Sequence, residues 1–346
     1  MRVVRFYAPQ DVRVEDAPEP TAGPGDLLIR VRNCSICGTD AKIWRSGHPN
    51  LSPPRVLGHE VAGEVVALGE GVSGWSEGDR VQVIAAIPDG SCHECRRGWM
   101  TVCFNLELIG YQYDGGFAEL MRVPAKVLAV DGVNRVPEGL SFAEASVAEP
   151  LACVINGQEH ASVGEGDTVV VVGAGPIGCM HVRLARARGA ARVFLIELSQ
   201  QRLEMAAALV APDEAIGADA TDTVDTVRRL TDGRGADVII VAAASGKAQE
   251  DSLQMAARGG RVSFFGGLPK DKPTITCDSN IVHYREVSIV GANSSSPDHN
   301  KQALELIASE AVPVADLITH RLPLEQAIEG IHRVTRGEAI KVTIEA

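Results

Sequence analysis

The spacing of apolar side chains changes along the chain and divides it into regions. Residues 1 to about 130 contain short segments in which apolar and polar side chains alternate, as in β-strands, separated by Gly and Pro. The predicted strands are residues 26–31, 60–68, 79–84 and 117–123. Over residues 141–161 the spacing becomes helical, and Ser141 with Glu144 has the signature of a capping box. The pattern therefore predicts a mostly β region that ends in a helix.

The middle of the chain alternates strands with helices. Strands are predicted at residues 169–172, 193–197, 238–242 and 262–265, and helices begin at Gly175, at Ser199 and near Lys247. This alternation predicts an α/β protein with a parallel sheet covered by helices on both faces. A strand at 287–290, two helical stretches and a closing strand at 339–344 follow. We expect domain boundaries at 1–152, 153–289 and 290–346, with the last segment completing the first domain.

Length and charge narrow the classes of function. A chain of 346 residues is long enough for two domains, each with its own core. The net charge of −12 argues against a nucleic-acid partner and against an anionic membrane surface. Neither a signal peptide nor a run of the roughly 20 apolar residues that span a bilayer is visible. We therefore expect a cytoplasmic protein with a small-molecule substrate.

A glycine-rich segment follows the apolar strand at 169–172 and opens a helix. It consists of Gly173, Ala174, Gly175, Pro176, Ile177 and Gly178. Glycines in this pattern allow a tight turn and close approach of backbone to a pyrophosphate, which the helix N-terminus attracts. Glu197 ends the next strand, nineteen residues after Gly178, where a carboxylate binds a ribose 2′-hydroxyl and repels a 2′-phosphate. We therefore predict NAD rather than NADP as the cofactor, although Arg202 nearby could serve a phosphate or line the adenine pocket.

Three residues supply a possible zinc-binding set. Cys37, His59 and Glu149 offer a thiolate, an imidazole and a carboxylate, the ligands of a zinc that keeps one coordination position open. Cys34 and Cys37 also form a Cys-x-x-Cys pair, which would alternatively be a redox site. The Gly-Thr-Asp that follows Cys37 and the distant His-Glu pair favour the metal.

The motifs together resemble a known family. Cys-Gly-Thr-Asp at 37–40, Gly-His-Glu at 58–60, Glu-Pro-Leu at 149–151 and the glycine motif, in this order, resemble the zinc-containing medium-chain dehydrogenases, and most of all their polyol (sorbitol) dehydrogenase branch. The resemblance spans nearly the whole chain. It implies a GroES-like catalytic domain, a Rossmann domain, and hydride transfer between NAD and an alcohol whose pKa the zinc lowers. It also implies a homo-oligomer, either a dimer or a tetramer.

The resemblance also assigns roles around the catalytic zinc. Cys37 and His59 would bind the metal, Glu149 would bind it directly or through water, and Glu60 would be an alternating ligand. Asp40 would hold the His59 ring in its ligating tautomer.

The proton relay departs from the family pattern. The Thr39 hydroxyl would pass the alcohol proton outward, but Lys42 stands where the family usually has a histidine. The proton would then leave through Lys42, through His48, or through the nicotinamide ribose and water.

A second cysteine cluster resembles the family's structural zinc lobe, which has four cysteines. Cys92, Cys95 and Cys103 match its last three, and Asp89 stands where the first belongs. A carboxylate is a zinc ligand in its own right, so we expect an AspCys3 site. His93 in place of Asp89, or a lobe without metal, are the alternatives.

The substrate itself is left open. By resemblance, Trp44, His48, Tyr113 and the segment from Asn293 and Ser294 to residue 296 would line its pocket, but the Arg-Tyr pair usual in sorbitol dehydrogenases is absent there. We predict oxidation of a secondary alcohol in a polyol, sugar alcohol or cyclitol. The alternative function is that of a threonine-type amino-alcohol dehydrogenase or a biosynthetic ketone reductase. The third possibility is a zinc-free, non-catalytic member of the family.

Overall fold

The computed structural model describes all 346 residues and contains two compact units. The first unit comprises Met1–Ala152 and Ser294–Ala346, and the second comprises Cys153–Asn293. Each has its own sheet and its own apolar core. None of the helices combines the length and the apolar character needed to cross a bilayer.

The first unit is built mainly of short antiparallel strands, numbered here along the chain. They are β1 (Arg2–Ala8), β2 (Asp11–Asp16), β3 (Leu27–Ser35), β4 (Arg55–Val56), β5 (Glu60–Leu68), β6 (Arg80–Val83), β7 (Ala86–Ile87), β8 (Glu107–Leu108), β9 (Leu120–Val123), β10 (Val133–Arg135), β17 (Ile318–Pro323) and β18 (Lys341–Glu345). The largest sheet has the order β10-β6-β5-β3-β18-β17, with β9 also paired to β3, and β2-β1-β4 form a second sheet. In the large sheet Ser35 pairs with Glu60 on one side and with Thr343 on the other. The last strand of the chain therefore lies against the strand that leads to Cys37.

Short helices complete this unit. They are α1 (Gly38–Ser46), α2 (His93–Arg96), α3 (Ala125–Leu128), α4 (Phe142–Ser146), α5 (Ala148–His160), α11 (Pro297–Ala308) and α12 (Ala327–Arg336), with α5 continuing into the second unit. The predicted capping box is confirmed, because the Ser141 hydroxyl accepts a hydrogen bond from the Glu144 N–H at 3.2 Å. The helical pattern predicted over 141–161 is confirmed with one interruption, since α4 ends at Ser146 and α5 begins at Ala148. Pro150 explains the break, because it has no N–H to bond back to Ser146.

The second unit is a six-stranded parallel sheet with helices between its strands. Its strands are β11 (Thr168–Val172), β12 (Arg192–Glu197), β13 (Glu214–Gly217), β14 (Ala236–Val241), β15 (Ala256–Phe264) and β16 (Ser288–Gly291). Its helices are α6 (Pro176–Ala187), α7 (Gln200–Val210), α8 (Thr223–Leu230), α9 (Gly246–Met255) and α10 (Ser279–Arg285). The order β13-β12-β11-β14-β15-β16 is that of the doubly wound dinucleotide-binding fold, so the predicted α/β class is confirmed. The sequence patterns had not predicted β13, α8 or α10.

Candidate active site

Cys37 is fixed by the start of a helix. It is the N-cap residue of α1, and its backbone N–H donates to the Asp40 carboxylate at 2.9 Å. This bond satisfies a donor that the helix itself would leave unpaired. The Cys-Gly-Thr-Asp motif is therefore a local structure that holds the thiol in place.

His59 and Glu60 lie where β5 begins, and β5 pairs with β3, the strand that leads to Cys37. Gly58, which precedes them, has a φ of +88°, and a Cβ added to it would lie 2.7 Å from the Cys34 sulfur and 2.8 Å from the Phe117 ring. Only glycine fits there, both for the backbone conformation and for space. Glu60 begins β5 and pairs with the end of β3, which places it beside Cys37.

The ligand atoms of Cys37, His59 and Glu60 all lie within 4.8 Å of one another. His59 is buried, with its Nδ1 turned toward the Asp40 carboxylate at 3.6 Å, so that Nε2 is left for a metal. Burial lowers the pKa of His59, but Asp40, Cys37 and Glu149 outweigh it and raise that pKa well above its usual range. Asp40 thus takes the position beside His59 that the resemblance implied. Cys34, by contrast, is not in this group and is a free, buried thiol.

A lysine that the sequence patterns missed completes the polar cluster. Lys341, at the start of β18, is 1% exposed, donates from Nζ to the Ile36 carbonyl at 3.0 Å and forms an ion pair with Glu60 Oε2. Burial lowers the pKa of Lys341, but Glu60, Cys37 and Glu149 outweigh this effect and raise it overall. The sequence offered one signal for a buried ion pair, a lysine in a closing strand that is otherwise mostly apolar. A lysine in such a strand is almost never buried unless it is paired.

The donor set fits a zinc dication. Asp40, Glu60 and Glu149 are three buried carboxylates, and Lys341 is the one buried ammonium that faces them. Metal binding requires His59 to lose its proton, and with that imidazole and the Cys37 thiol neutral the cluster holds two uncompensated negative charges in a low-dielectric environment. A bound dication would offset them, and thiolate, imidazole and carboxylate are ligands that zinc takes.

Glu149 lies near this group without being part of its compact core. It stands in the first turn of α5, is 6% exposed and raises the pKa values of both His59 and Lys341. Its carboxylate is not among the atoms that lie within 4.8 Å of one another. Its role as a ligand, direct or through water, stays a prediction.

The residues predicted for proton transfer lie on or after α1. Thr39 is half-buried in the first turn, whereas Lys42 is exposed on the helix surface. His48 follows the helix, accepts a hydrogen bond at Nδ1 from the Asn50 N–H, and meets the ring of Tyr111 edge-on at 4.9 Å between centroids. Tyr111 was not predicted; it is 6% exposed, and burial, Asp40, Cys37 and Glu149 raise its pKa.

The predicted substrate residues have mixed surroundings. Trp44 is half-buried and packs edge-on against His332 at 4.8 Å. The Tyr113 hydroxyl donates to Glu107 at 2.9 Å, so it already has a structural partner. Tyr111 is the tyrosine whose pKa is raised by the charges of the metal group. Asn293 is exposed and accepts a bond at its carbonyl from Asn156, and Ser294 has a φ of +59°.

The second cysteine cluster is preformed. Ligand atoms of Asp89, Cys92, Cys95 and Cys103 lie within 4.8 Å of one another. The backbone N–H of Asp89 donates to the Cys103 sulfur at 3.3 Å, and that of Cys95 to the Cys92 sulfur at 3.5 Å. Burial and hydrogen bonds with neighbouring thiols raise the pKa of Cys95 to about 12, so only a cation that replaces the proton would make it a thiolate.

Asp89 is held in its position in this cluster. Its Oδ1 accepts the backbone N–H of Ser91 and of Cys92, and its Oδ2 accepts the Asn105 amide at 2.6 Å. The Asn105 amide and these N–H groups hold the pKa of Asp89 well below its usual range. The group is thus a carboxylate with three thiols, a donor set that suits zinc. His93 is not in the cluster.

The glycine motif of the second unit has the geometry of a phosphate-binding turn. A Cβ on Gly178 would lie 1.8 Å from the Gly173 carbonyl oxygen, so this glycine permits the close contact between α6 and the turn. Gly175 caps α6 and has open space beside it, and Pro176 occupies the first turn, where no N–H is needed. Ile177 follows in the same turn. The helix N-terminus therefore presents free N–H groups next to an open approach.

Glu197 ends β12 beside this turn. Its Oε2 accepts the Ala174 N–H at 2.8 Å, and its Oε1 accepts those of Leu198 and Ser199. The carboxylate is therefore fixed against the glycine turn, in the place where a ribose hydroxyl is bound in this fold. Arg202 is partly exposed in the first turn of α7, where its N–H donates to the Ser199 hydroxyl.

A thiol–imidazole–carboxylate group in one unit and a dinucleotide-type glycine turn in the other define a metal-assisted dehydrogenase. Residues 23–132 match the family model "Alcohol dehydrogenase GroES-like domain", and residues 176–309 match "Zinc-binding dehydrogenase". A sorbitol dehydrogenase of Halalkalibacterium halodurans is 32% identical over 96% of this chain and 94% of its own. An L-threonine 3-dehydrogenase of Pyrococcus horikoshii is 38% identical over 84% and 81%, respectively.

A solved structure agrees with these matches. A zinc-binding dehydrogenase of Sinorhizobium meliloti 1021, bound to NADP, superposes with a TM-score of 0.92 at 30% identity, covering 100% of this chain and 99% of the other. The chain belongs to the zinc-type medium-chain dehydrogenase/reductase family. It is an oxidoreductase whose cofactors are zinc and a nicotinamide dinucleotide, and the predicted GroES-like and Rossmann folds are confirmed.

Proposed function

We propose that this enzyme transfers hydride between NAD and a secondary alcohol of a polyol, sugar alcohol or cyclitol, reversibly. The observation that carries the proposal is the compact group of Cys37, His59 and Glu60, with Glu149 and a buried, unpredicted tyrosine beside it. Buried polar groups around a reacting centre favour a substrate with additional hydroxyls, because each would find a hydrogen-bond partner.

The residues of the metal group have separate tasks. Cys37 and His59 would hold the zinc, which would supply the Lewis acidity that makes a substrate hydroxyl more acidic, and a bound nicotinamide would supply the hydride acceptor. Glu60 or Glu149 supplies the carboxylate ligand. Asp40 keeps the His59 proton on Nδ1, so that Nε2 is unprotonated. Thr39, in the first turn of α1, receives the proton that the substrate hydroxyl loses.

Proton exit from Thr39 has two candidate routes within this chain. His48 is the better placed, because its ring contacts Tyr111, which interacts with Cys37 and Asp40. Lys42 is exposed on the helix surface, and histidine is the residue that enzymes use most often for proton transfer.

Glu197 supports NAD as the preferred cofactor. Its carboxylate is fixed beside the glycine turn by three backbone N–H groups, and an anion in that place repels a 2′-phosphate. Because the similar S. meliloti protein is bound to NADP, every activity assay should compare NAD with NADP.

We also propose that Asp89, Cys92, Cys95 and Cys103 hold a structural zinc that braces their lobe. Trp99, Val102 and Phe104 of the same lobe are each more than half exposed, an unusual concentration of large apolar side chains. They support a homo-oligomer, a tetramer or a dimer, which light scattering would measure. We also propose that the enzyme is located in the cytoplasm.

An amino alcohol is the second candidate substrate. The 38% identity to an L-threonine 3-dehydrogenase favours it, and the zinc chemistry would be the same. Reduction of a ketone in biosynthesis would use the identical residues in the opposite direction.

The test is NADH formation by the zinc-loaded enzyme with polyols, cyclitols, amino alcohols and simple secondary alcohols. The proposal predicts the highest kcat/KM for one stereochemical class of polyol or cyclitol. A higher kcat/KM for threonine would replace it with the second candidate. Failure with every alcohol, together with NADH oxidation by a ketone, would show the reductase.

A further inference from the structure

A cavity of about 290 Å³ opens in the first unit, beside the β2-β1-β4 sheet. Arg5 of β1, Arg55 of β4 and Arg122 of β9 line it, and Asp114 is the one carboxylate among its lining residues. The chain as a whole carries a net charge of −12. Each of the three guanidinium groups has a carboxylate within 4 Å, but among the residues that line the cavity arginines outnumber carboxylates three to one. The lining itself is therefore basic, and it attracts anions.

Arg55 is held at the cavity wall with unused donors. Its side chain is 20% exposed, and one terminal nitrogen donates to Asp114 Oδ1 at 3.0 Å. Its Nε is buried and has no acceptor. A buried donor without an acceptor is rare, so part of the hydrogen-bonding capacity of Arg55 is unused within the chain.

The other two arginines also keep free donors. Arg5 uses one terminal nitrogen in its bond to Glu15, and the Arg122 Nε is 3.7 Å from Asp26 Oδ2, beyond hydrogen-bond distance. Each guanidinium has five N–H groups in a planar fork that matches the oxygens of a phosphate or carboxylate. Glu15 and Asp26 offset part of the charge of these two arginines, but neither carboxylate lines the cavity.

We propose that this cavity is a binding site for a small oxyanion of the phosphate class, either free phosphate or the phosphoryl group of a small metabolite. Arg55 and Arg122 bind its oxygens, and Asp114 competes with it for the Arg55 guanidinium. Asp114 also accepts the Val56 N–H at 3.1 Å, and the backbone pairs Val56 with Gly115 and Gly58 with Gly116. His59 follows directly, so the site is built on the segment that leads to the metal group.

Calorimetric titration with inorganic phosphate tests this. The zinc-loaded protein is kept saturated with NADH, so that phosphate cannot bind at the glycine turn, and ionic strength is held constant with chloride. We expect saturable binding that Arg55→Gln and Arg122→Gln each weaken by roughly tenfold, the effect of losing one charge-assisted hydrogen bond. Asp114→Asn should tighten binding, because an amide oxygen can still accept the Val56 N–H but no longer competes as a charge.

Arg229→Gln, an exposed arginine of the second unit, is the matched control and should bind phosphate like the wild type. Glycerol phosphate in a second titration separates the two sources, since tighter binding than that of inorganic phosphate would indicate a phosphorylated metabolite. The exposed position of Arg122 keeps the test valid if Arg55→Gln folds poorly. No saturable binding, or binding that the Arg122 and Asp114 variants leave unchanged, would show that the cavity holds only water.

Discussion

Replacement of Lys341 by methionine tests the electrostatics of the metal group. Lys341 is fully buried, and its ammonium forms an ion pair with Glu60, which is also fully buried. Methionine retains much of the apolar packing of the lysine chain but leaves the Glu60 carboxylate without this partner. Removing one member of a buried pair costs about 3–5 kcal/mol, because a buried charge is left uncompensated.

Zinc should change this cost. Glu60 lies in the group that fits the metal, so bound zinc offers its carboxylate a second cation. We therefore expect Lys341→Met to lower the free energy of unfolding by about 3–5 kcal/mol in the metal-free protein and by less in the zinc-loaded one. The difference equals the increase in zinc-binding free energy of the variant, since a ligand that binds only the folded state adds its binding free energy to stability.

The assay is urea-induced unfolding with and without zinc. Lys126→Met is the control, because Lys126 pairs with Glu107 at an exposed position, where an ion pair contributes about 0–1 kcal/mol. Combining Lys341→Met with Glu60→Gln should recover part of the lost stability, because both charges are then removed. The reasoning is refuted if Lys341→Met costs no more than Lys126→Met, or if the two changes at 341 and 60 are additive.

Four further predictions concern the two metal groups, the glycine turn and a buried histidine of α6. Cys37→Ser should abolish turnover while NADH still binds; loss of NADH binding, measured by its fluorescence, would make the residue structural. Glu197→Ala should lower the ratio of kcat/KM for NAD to that for NADP, and an unchanged ratio would remove Glu197 from cofactor selection. Asp89→Ala should reduce the zinc content, measured by elemental analysis, from two per chain toward one, and turnover per catalytic zinc should be retained. An unchanged zinc content would show that Asp89 is not a ligand. His181 is wholly buried, and burial, aided by Arg188, lowers its pKa to about 3, below the unfolded value of 6.5. Its contribution to the free energy of unfolding is therefore full above pH 6.5 and declines on acidification toward pH 3, by about 1.4 kcal/mol per pH unit. His181→Leu should remove this slope from acid unfolding curves.

Local rules in the sequence predicted much of the fold. The capping box of Ser141 and the close packing that needs Gly178 each depend on residues a few positions apart, so their patterns are visible in one sequence. The place of Asp40 beside His59 was expected from the family resemblance alone, since only its bond to the Cys37 N–H is local.

Contacts between distant segments were harder to predict. Lys341 meets Glu60 only because β18 and β5 both pair with β3, across nearly three hundred residues of chain, and no local pattern reports that register. Tyr111 and Tyr113 have almost the same sequence context, and only the structure shows which hydroxyl is bound to Glu107. The break at Ser146 was missed because the apolar spacing continues through Pro150.

The insertion of the second unit into the first has a consequence for biosynthesis. During translation, residues Cys153–Asn293 are complete before β17 and β18 exist, so the nucleotide-binding unit can reach its fold while the catalytic unit still lacks two strands. Until β18 pairs with β3, the end of β3 at residues 33–35 has an open edge, because β9 covers only residues 27–30, and Glu60 has no lysine beside it. The nascent catalytic unit is thus most exposed to aggregation, and its metal group most incomplete, in the interval before residues 294–346 leave the ribosome.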